Sequence, residues 1–494
     1  MATRFPNEIW AYIATLLPVA CLLRLSLVNS TLHGIARRTW YKSVKFDSYK
    51  DAKQIIKQLK DSKEVQAVHI QPWVVLAKTR CSSWSSKWRF LNACISPTLA
   101  FDETEDAQIL RRLQKQTQRI ANAIKAFPHL HEYHIDWDEK PIHYAALTSL
   151  VGSVIPHIGH KLSCLSLKVP LEYMHSLPAL ARHLPNLDSL AVTIHTGAYI
   201  PSYICQTIEG LVFFINIVLR HLRSLSIATT WTSTHLVLGP FFEHLGHGPR
   251  LKSFSLCLPY DGGHLDSNPG PLREFLAAHR LTLESLSLGT TTRATFHPTP
   301  STPTARFWIR ETLKDHVSFP ALSRLSLSLR PLRTELGPLT RCLTKLQSQL
   351  RALKLSDRAL ECSELTSLLV VLGNAPLLSE LSLRVQCLSP DIVDLLAMHL
   401  PNLRVLHMNF TEIIHQEPAS SESSLSHDSH SLPRESELAM FCDVLRGKQY
   451  PEWGLACIAI RENPRGPSWF EALQRAFFSC IPGLTSFEEL VSPV

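Results

Sequence analysis

Histidines are the first residues in this chain whose type and spacing could do chemistry. They fall in tight groups: His129, His131 and His134 in "HLHEYH", His157 and His160 in "HIGH", His244 and His247 in "HLGH". A transition-metal site needs three or four converging ligands, and no cysteine or carboxylate pattern converges on these groups. The twelve cysteines are scattered from Cys21 to Cys480 with no CxxC pair, which argues against a zinc module or a disulfide framework. Nor does the chain contain a GxSxG elbow, an HExxH helix, a P-loop or a GxGxxG turn, the spacings that position nucleophiles, zinc or phosphates. The histidines read as loop and strand-surface residues. The expectation is a protein that is not an enzyme and needs neither metal nor cofactor.

Recognition is the remaining kind of chemistry, and its carriers are cations. The net charge of +8 is mild for 494 residues. The dense run Lys50, Lys53, Lys57, Lys60 and Lys63 lies opposite Ala52, Ile55, Ile56 and Leu59 on one helix. That is the solvated side of an amphipathic element and no nucleic-acid footprint. A second group, Arg330, Lys354, Arg358 and Arg384 with Arg333 nearby, gains meaning only from the repeats that place it.

The repeats share one LxxLxL frame: "LSCLSL" from Leu162, "LDSLAV" from Leu187, "LRSLSI" from Leu222, "LKSFSL" from Leu251, "LESLSL" from Leu283, "LSRLSL" from Leu322, "LRALKL" from Leu350, "LSELSL" from Leu378 and "LRVLHM" from Leu403. Weaker copies are "YKSVKF", "VQAVHI", "LHEYHI" and "LTSFEE". Starts lie 25 residues apart at the closest (162 to 187) and 39 at the widest (283 to 322). Pro128, Pro185, Pro249, Pro320, Pro376, Pro401 and Pro482 each stand two residues before a frame. Proline cannot continue a helix, so each marks a helix stopping and a strand beginning. In a strand, alternate side chains take opposite faces. Positions four and six of each frame therefore face a core, while three and five face solvent.

These frames resemble leucine-rich repeats. The resemblance implies an α/β solenoid, with a parallel sheet along the concave side and helices outside. The Asn or Cys of regular repeats is absent at its expected place, where Pro170, His195, Thr230, Pro259, Thr291, Arg330, Arg358, Gln386 and Thr411 stand instead. The outward fifth row is mostly serine: Ser166, Ala191, Ser226, Ser255, Ser287, Ser326, Lys354, Ser382 and His407. Small hydroxyls are weak anchors, whereas Arg is a favoured one. Target contact is accordingly expected at Arg330, Lys354, Arg358 and Arg384, near strand ends, through an acidic or phosphorylated segment.

The opening stretch "FPNEIWAYIATLLPVACLLRLSLVNSTLHGIARRTWYKSVKF" is apolar but interrupted by Pro6, Glu8 and Pro18, which suits neither a secretory leader nor a membrane span. Its apolar residues recur at steps of three and four, the period of short amphipathic helices. About forty residues bury too little surface to stand alone. The pattern resembles the F-box. That resemblance implies docking to the Skp-type adaptor of a cullin-RING ubiquitin ligase, with Pro6, Ile9, Leu17, Pro18, Leu22 and Val28 at or near the contact.

The expected organisation is an F-box helical module over residues 1–46 and an irregular leucine-rich horseshoe over 47–494, with loop insertions near 78–105, 289–307 and 415–437. The expected function is the substrate-recognition subunit of an SCF-type ligase, which binds an adaptor (and through it a cullin) and an unknown target protein. The alternative is an interaction scaffold with no role in ubiquitination. The expected setting is the cytoplasm or nucleus, away from membranes.

Overall fold

The structure is a computed structural model that describes residues 6–17, 19–28, 30–58, 64–71, 103–137, 147–195, 201–230, 236–259, 263–265, 269–291, 308–313, 318–332, 336–414, 434–462 and 467–489. The chain divides into two compact units between Leu222 and Arg223.

The first unit opens with three helices, α1 (Asn7–Leu16), α2 (Val19–Ser26) and α3 (Ser30–Tyr41), followed by α4 (Tyr49–Gln58). Its strands are β1 (Ser43–Phe46), β2 (Ala67–Ile70), β3 (Glu132–Asp136), β4 (Cys164–Pro170) and β5 (Ser189–His195), each parallel to the one before it. The expected helical module thus ends early, because Ser43–Phe46 already belongs to the sheet. The second unit carries β6 (Ser224–Thr229), β7 (Ser253–Pro259), β8 (Ser285–Thr291), β9 (Arg324–Ser328), β10 (Ala352–Ser356), β11 (Glu380–Leu388), β12 (Val405–Ile413), β13 (Cys457–Glu462) and β14 (Ser486–Glu489). These also pair in chain order and in parallel. Each unit is a leucine-rich-repeat array, with one strand per repeat.

Side-chain alternation follows the frame. In β7, Phe254 and Leu256 are fully buried while Ser253 and Ser255 are half-exposed. Register keeps like with like: Leu286 pairs with Leu325 and Leu288 with Leu327. Behind the strands, the helix Cys362–Leu372 buries Leu365, Leu368, Leu369 and Leu372, one face at helical spacing. Phe242, Phe254 and Phe275 pack together behind β7.

One backbone arrangement recurs at the strand starts within each unit. The carbonyl at frame position two accepts two amides from the next repeat, at positions two and three. Arg351 O accepts from Ser379 N at 2.9 Å and Glu380 N at 3.0 Å. Arg404 O does the same for Ala456 and Cys457, and Ser163 O for Asp188 and Ser189. The prolines have a sharper role than stopping helices. In five frames the first Leu donates to the residue before the proline, as Leu378 N does to Ala375 O and Leu403 N to Leu400 O. Proline then sits second in a tight turn, where its fixed φ suits it. The asparagines of the two "HLPNL" segments complete this edge. Asn186 donates to His160 O at 2.7 Å and Asn402 to Pro376 O at 3.4 Å, each reaching back one repeat at the same offset.

The expected insertions are shorter than drawn where they can be followed. β8 continues through Thr291, so Gly289–Thr291 is strand. A helix begins at Arg434 and reaches Arg446. The interiors of all three insertions, over 78–102, 292–307 and 415–433, lie outside the described residues.

Leu381 is fully buried in β11 between neighbours of the same type. Leu381→Ala is therefore expected to cost about 2–5 kcal/mol as a core truncation, read as a drop in the urea midpoint. A loss confined to a few tenths of a kcal/mol would mean that the sixfold frame does not define the core.

Candidate functional site

Two places carry the residues singled out from the sequence: the helical opening of the first unit and the open face of the second. In the opening, Ala14, Leu22, Ile35 and Ala36 form a buried cluster, with Trp10, Leu17 and Leu25 packed against it. Leu22, only 3% exposed, is therefore a core residue of the module and no surface contact, because α2 turns it toward α1 and α3. Leu17 is half-buried on the same cluster. Pro6 precedes α1 and is exposed, and Pro18 lies outside the described residues.

Ile9 and Val28 are exposed, and three further residues join them that the sequence reading did not assign to a contact. Tyr12 (68% exposed) and Leu16 share a face of α1 with Ile9, at steps of three and four, and Leu27 (86% exposed) lies beside Val28. Helical spacing from Ile9 was the available signal for Tyr12 and Leu16. A module with its own small core thus presents an outer row of large apolar side chains to water. Single apolar residues are ordinary on a surface, but three large ones on one helix face, Ile9, Tyr12 and Leu16, are the kind of grouping that marks an interaction site.

The four cations expected at one target-binding rim are not equivalent. Arg330 is exposed in a short 3-10 turn, Arg330–Leu332, after β9. Arg333 lies outside the described residues. Arg358 is committed internally: Nη1 and Nη2 donate to Glu364 at 2.7 and 2.9 Å, and the pair is mostly shielded, at 22% and 12% exposure. The Glu364 carboxylate also accepts the Glu361 amide at 3.0 Å, in the capping box that starts the helix Cys362–Leu372. Arg358 is a structural residue here and cannot serve as a free anchor. Lys354 is exposed on β10. Arg384 stands mid-strand in β11, register-paired with Asn409 of β12, so it belongs to the open face of the sheet and not to a strand end.

The polar closures at the far strand ends were invisible in the sequence. Where regular repeats stack one residue type, this chain uses local solutions. Thr229 and His264 bond at 2.8 Å. Thr290 N donates to Ser328 Oγ at 2.9 Å, and the Thr290 hydroxyl donates to Asp357. Asp357 adopts φ 74°, a left-handed conformation that Asp tolerates better than most residues. One repeat was missed outright: "LACIAI" from Leu455 forms β13 with Ile458 and Ile460 in the core. Trp453–Gly454 in place of a proline turn hid it.

The histidines and cysteines behave as structural groups. His279 accepts Gly248 N at 2.8 Å on Nε2, and its Nδ1 bonds Phe275 O at 2.7 Å. Burial lowers its pKa, which keeps the ring neutral. The rings of His69 and His134 stack at 4.2 Å. Burial pushes the thiols of Cys257, Cys342 and Cys442 up to about 11 and that of Cys480 up to about 12, the opposite of an activated nucleophile. Among the described residues no group of three or more His, Cys, Asp or Glu could hold a metal ion, and no helix is long and apolar enough to cross a membrane.

No family model matches the chain, and no curated protein matches it. Among solved structures it is similar to the crystal structure of a TLR13–ssRNA13 complex at 16% identity and a TM-score of 0.28, covering 75% of this chain and 47% of that one. The chain thus spans less than half of that protein.

Burial opposes the charge of Glu364, but Arg358 and the Glu361 amide outweigh it and hold its pKa below the ordinary carboxylate value. A lowered folded pKa contributes stability that is complete above the unfolded pKa and lost as pH falls through the folded one. Arg358→Ala is expected to cost about 1.5–3 kcal/mol at neutral pH, as for a hydrogen-bonded charged group. The gap from wild type should shrink in acid, where wild type loses the same contribution. Urea melts at pH 7 and at acid pH check both parts.

Proposed function

We propose that this chain is a non-catalytic substrate receptor. The helical opening, which resembles the F-box, docks on the Skp-type adaptor of a cullin-RING ubiquitin ligase, and the leucine-rich repeats hold a target protein. The observation that carries this reading is the exposed apolar face Ile9, Tyr12 and Leu16 of α1, with Leu27 and Val28 exposed after α2, outside a separate small core of Ala14, Leu22, Ile35 and Ala36. A helical cap that served only its own chain would turn its large apolar side chains inward, and this one turns several outward. Burying such a row against a partner contributes about 25 cal/mol per Å² of apolar surface. The repeats supply the other half: a long open sheet face with no catalytic constellation suits protein binding. Ubiquitin transfer would be the work of other subunits, in the cytoplasm or nucleus.

Co-purification of the full chain with recombinant adaptor and cullin tests this. The wild-type chain should capture both, and Ile9→Asp with Leu16→Asp should abolish capture without shifting the melting temperature, because an unpaired charge in an apolar contact costs several kcal/mol. Leu22→Asp should instead unfold the helical opening. Capture of the adaptor without cullin would favour a scaffold. Failure of the wild-type chain to bind the adaptor, or full capture by the double variant, would end the ligase reading.

A further inference from the structure

The open face of the second unit is not uniform. Register aligns two outward rows across its strands, those of frame positions five and seven. Over β6 to β9 these rows hold Ser226, Ser255, Ser287 and Ser326, then Ala228, Cys257, Gly289 and the buried Ser328. None of these side chains is charged. Over β10 to β13 the same rows hold Lys354, Ser382, His407 and the buried Ala459, then Ser356, Arg384, Asn409 and Arg461. Three permanent cations and no carboxylate occupy these eight positions.

The geometry of the second group is tight. Arg384, Asn409 and Arg461 are successive partners across β11, β12 and β13. With strands ~4.8 Å apart, the two arginine Cα atoms lie about 10 Å from one another with an amide between them. Lys354 and His407 flank Ser382 in the row behind. Among the described residues, Lys354, Arg384 and Arg461 make no ion pair, in contrast to Arg358. Arg384 Nε is also buried without a hydrogen-bond partner among them. A guanidinium carries five donors, and leaving such a donor unpaired in a shielded place is costly. These cations are neither spent on internal bridges nor spread over a solvated helix.

We propose that Lys354, Arg384, His407, Asn409 and Arg461 form the site where the second unit grips an anionic side chain, phosphate or carboxylate, on an extended peptide segment of its target. This rests on reading the repeats as the protein-binding part, but it is independent of adaptor docking. A nucleic acid fits less well. The patch is only about four strands wide, and carboxylates bracket it: Glu380 on β11, Glu412 on β12, and Glu488 and Glu489 on β14, all exposed. They would repel a polyanion running beyond the patch while leaving a single anionic residue undisturbed. The eight positions also carry no aromatic on which bases could stack. Over β6 to β9 the uncharged, short side chains of rows five and seven let the rest of a peptide backbone approach the sheet, with the exposed Arg324 of row three at its margin.

The test uses the full chain and three immobilised peptide libraries that differ only in a fixed central residue: phosphoserine, glutamate or serine. A twenty-residue oligo-dT strand is assayed beside them. Capture of the phosphoserine library, the glutamate library or both should exceed that of the serine library by about ten-fold or more, and the comparison between the two shows whether phosphate or carboxylate is read. R384Q with R461Q should reduce anionic capture to the serine level, while adaptor capture and the melting temperature stay at wild-type values. Should that pair unfold, K354Q with R461Q is read in its place, together with the salt dependence of the wild-type chain, whose capture must weaken several-fold between about 0.05 and 0.3 M salt. Equal capture of all three libraries, undiminished capture by a folded double variant, or tighter binding of oligo-dT than of either anionic library would each overturn the assignment. Loss of adaptor binding alone would leave it standing.

Discussion

Everything in these two units depends on one shared acceptor. At each strand start, the carbonyl of frame position two takes two amides from the following repeat, as Arg351 O does from Ser379 and Glu380. This fixes the height at which the next strand enters, so that a leucine at position four meets a leucine at position four. A slip of one residue would turn Leu381 and Leu383 to the open face and Ser382 into the core. Proline turns and the two interlocking asparagines hold the same edge, and the variable spacing between frames is absorbed elsewhere, in the helices and connections. That division explains how starts 25 and 39 residues apart can serve one architecture.

The strands were legible because their constraint is periodic. Leu, Phe and Ile at positions four and six must be buried whatever surrounds them, while position five is free to vary, from Ser287 to Lys354 and His407. β13 escaped because Trp453, and no proline, stands two residues before its frame. The far strand ends were not legible, since each closes by a different contact: Thr229 with His264 and Thr290 with Asp357 between repeats, and Arg358 with Glu364 six residues on. No spacing rule connects such pairs. The same gap misled the reading of Arg358 as a surface cation, because its partner six residues on, Glu364, also resembles an ordinary cap. Leu22 shows the converse limit. Periodicity put it on an apolar face, but a three-helix cluster has an inner and an outer apolar face, and only packing distinguishes them.

The open face combines two regimes. Serine, alanine, glycine and cysteine over β6 to β9 give a low surface with little intrinsic affinity. Arginine, lysine, histidine and asparagine over β10 to β13 give a taller and charged one. Both regimes are set by two side chains per repeat, on a backbone that does not change between them. Binding character can therefore be altered repeat by repeat without touching the leucines behind.

Among the described residues β14 pairs on one side only, with β13. A strand edge left unpaired is a template on which foreign strands add and aggregates begin. β14 is short, four residues, and its last two are the exposed carboxylates Glu488 and Glu489. Two copies meeting there in parallel would set carboxylate against carboxylate, which opposes edge-to-edge growth.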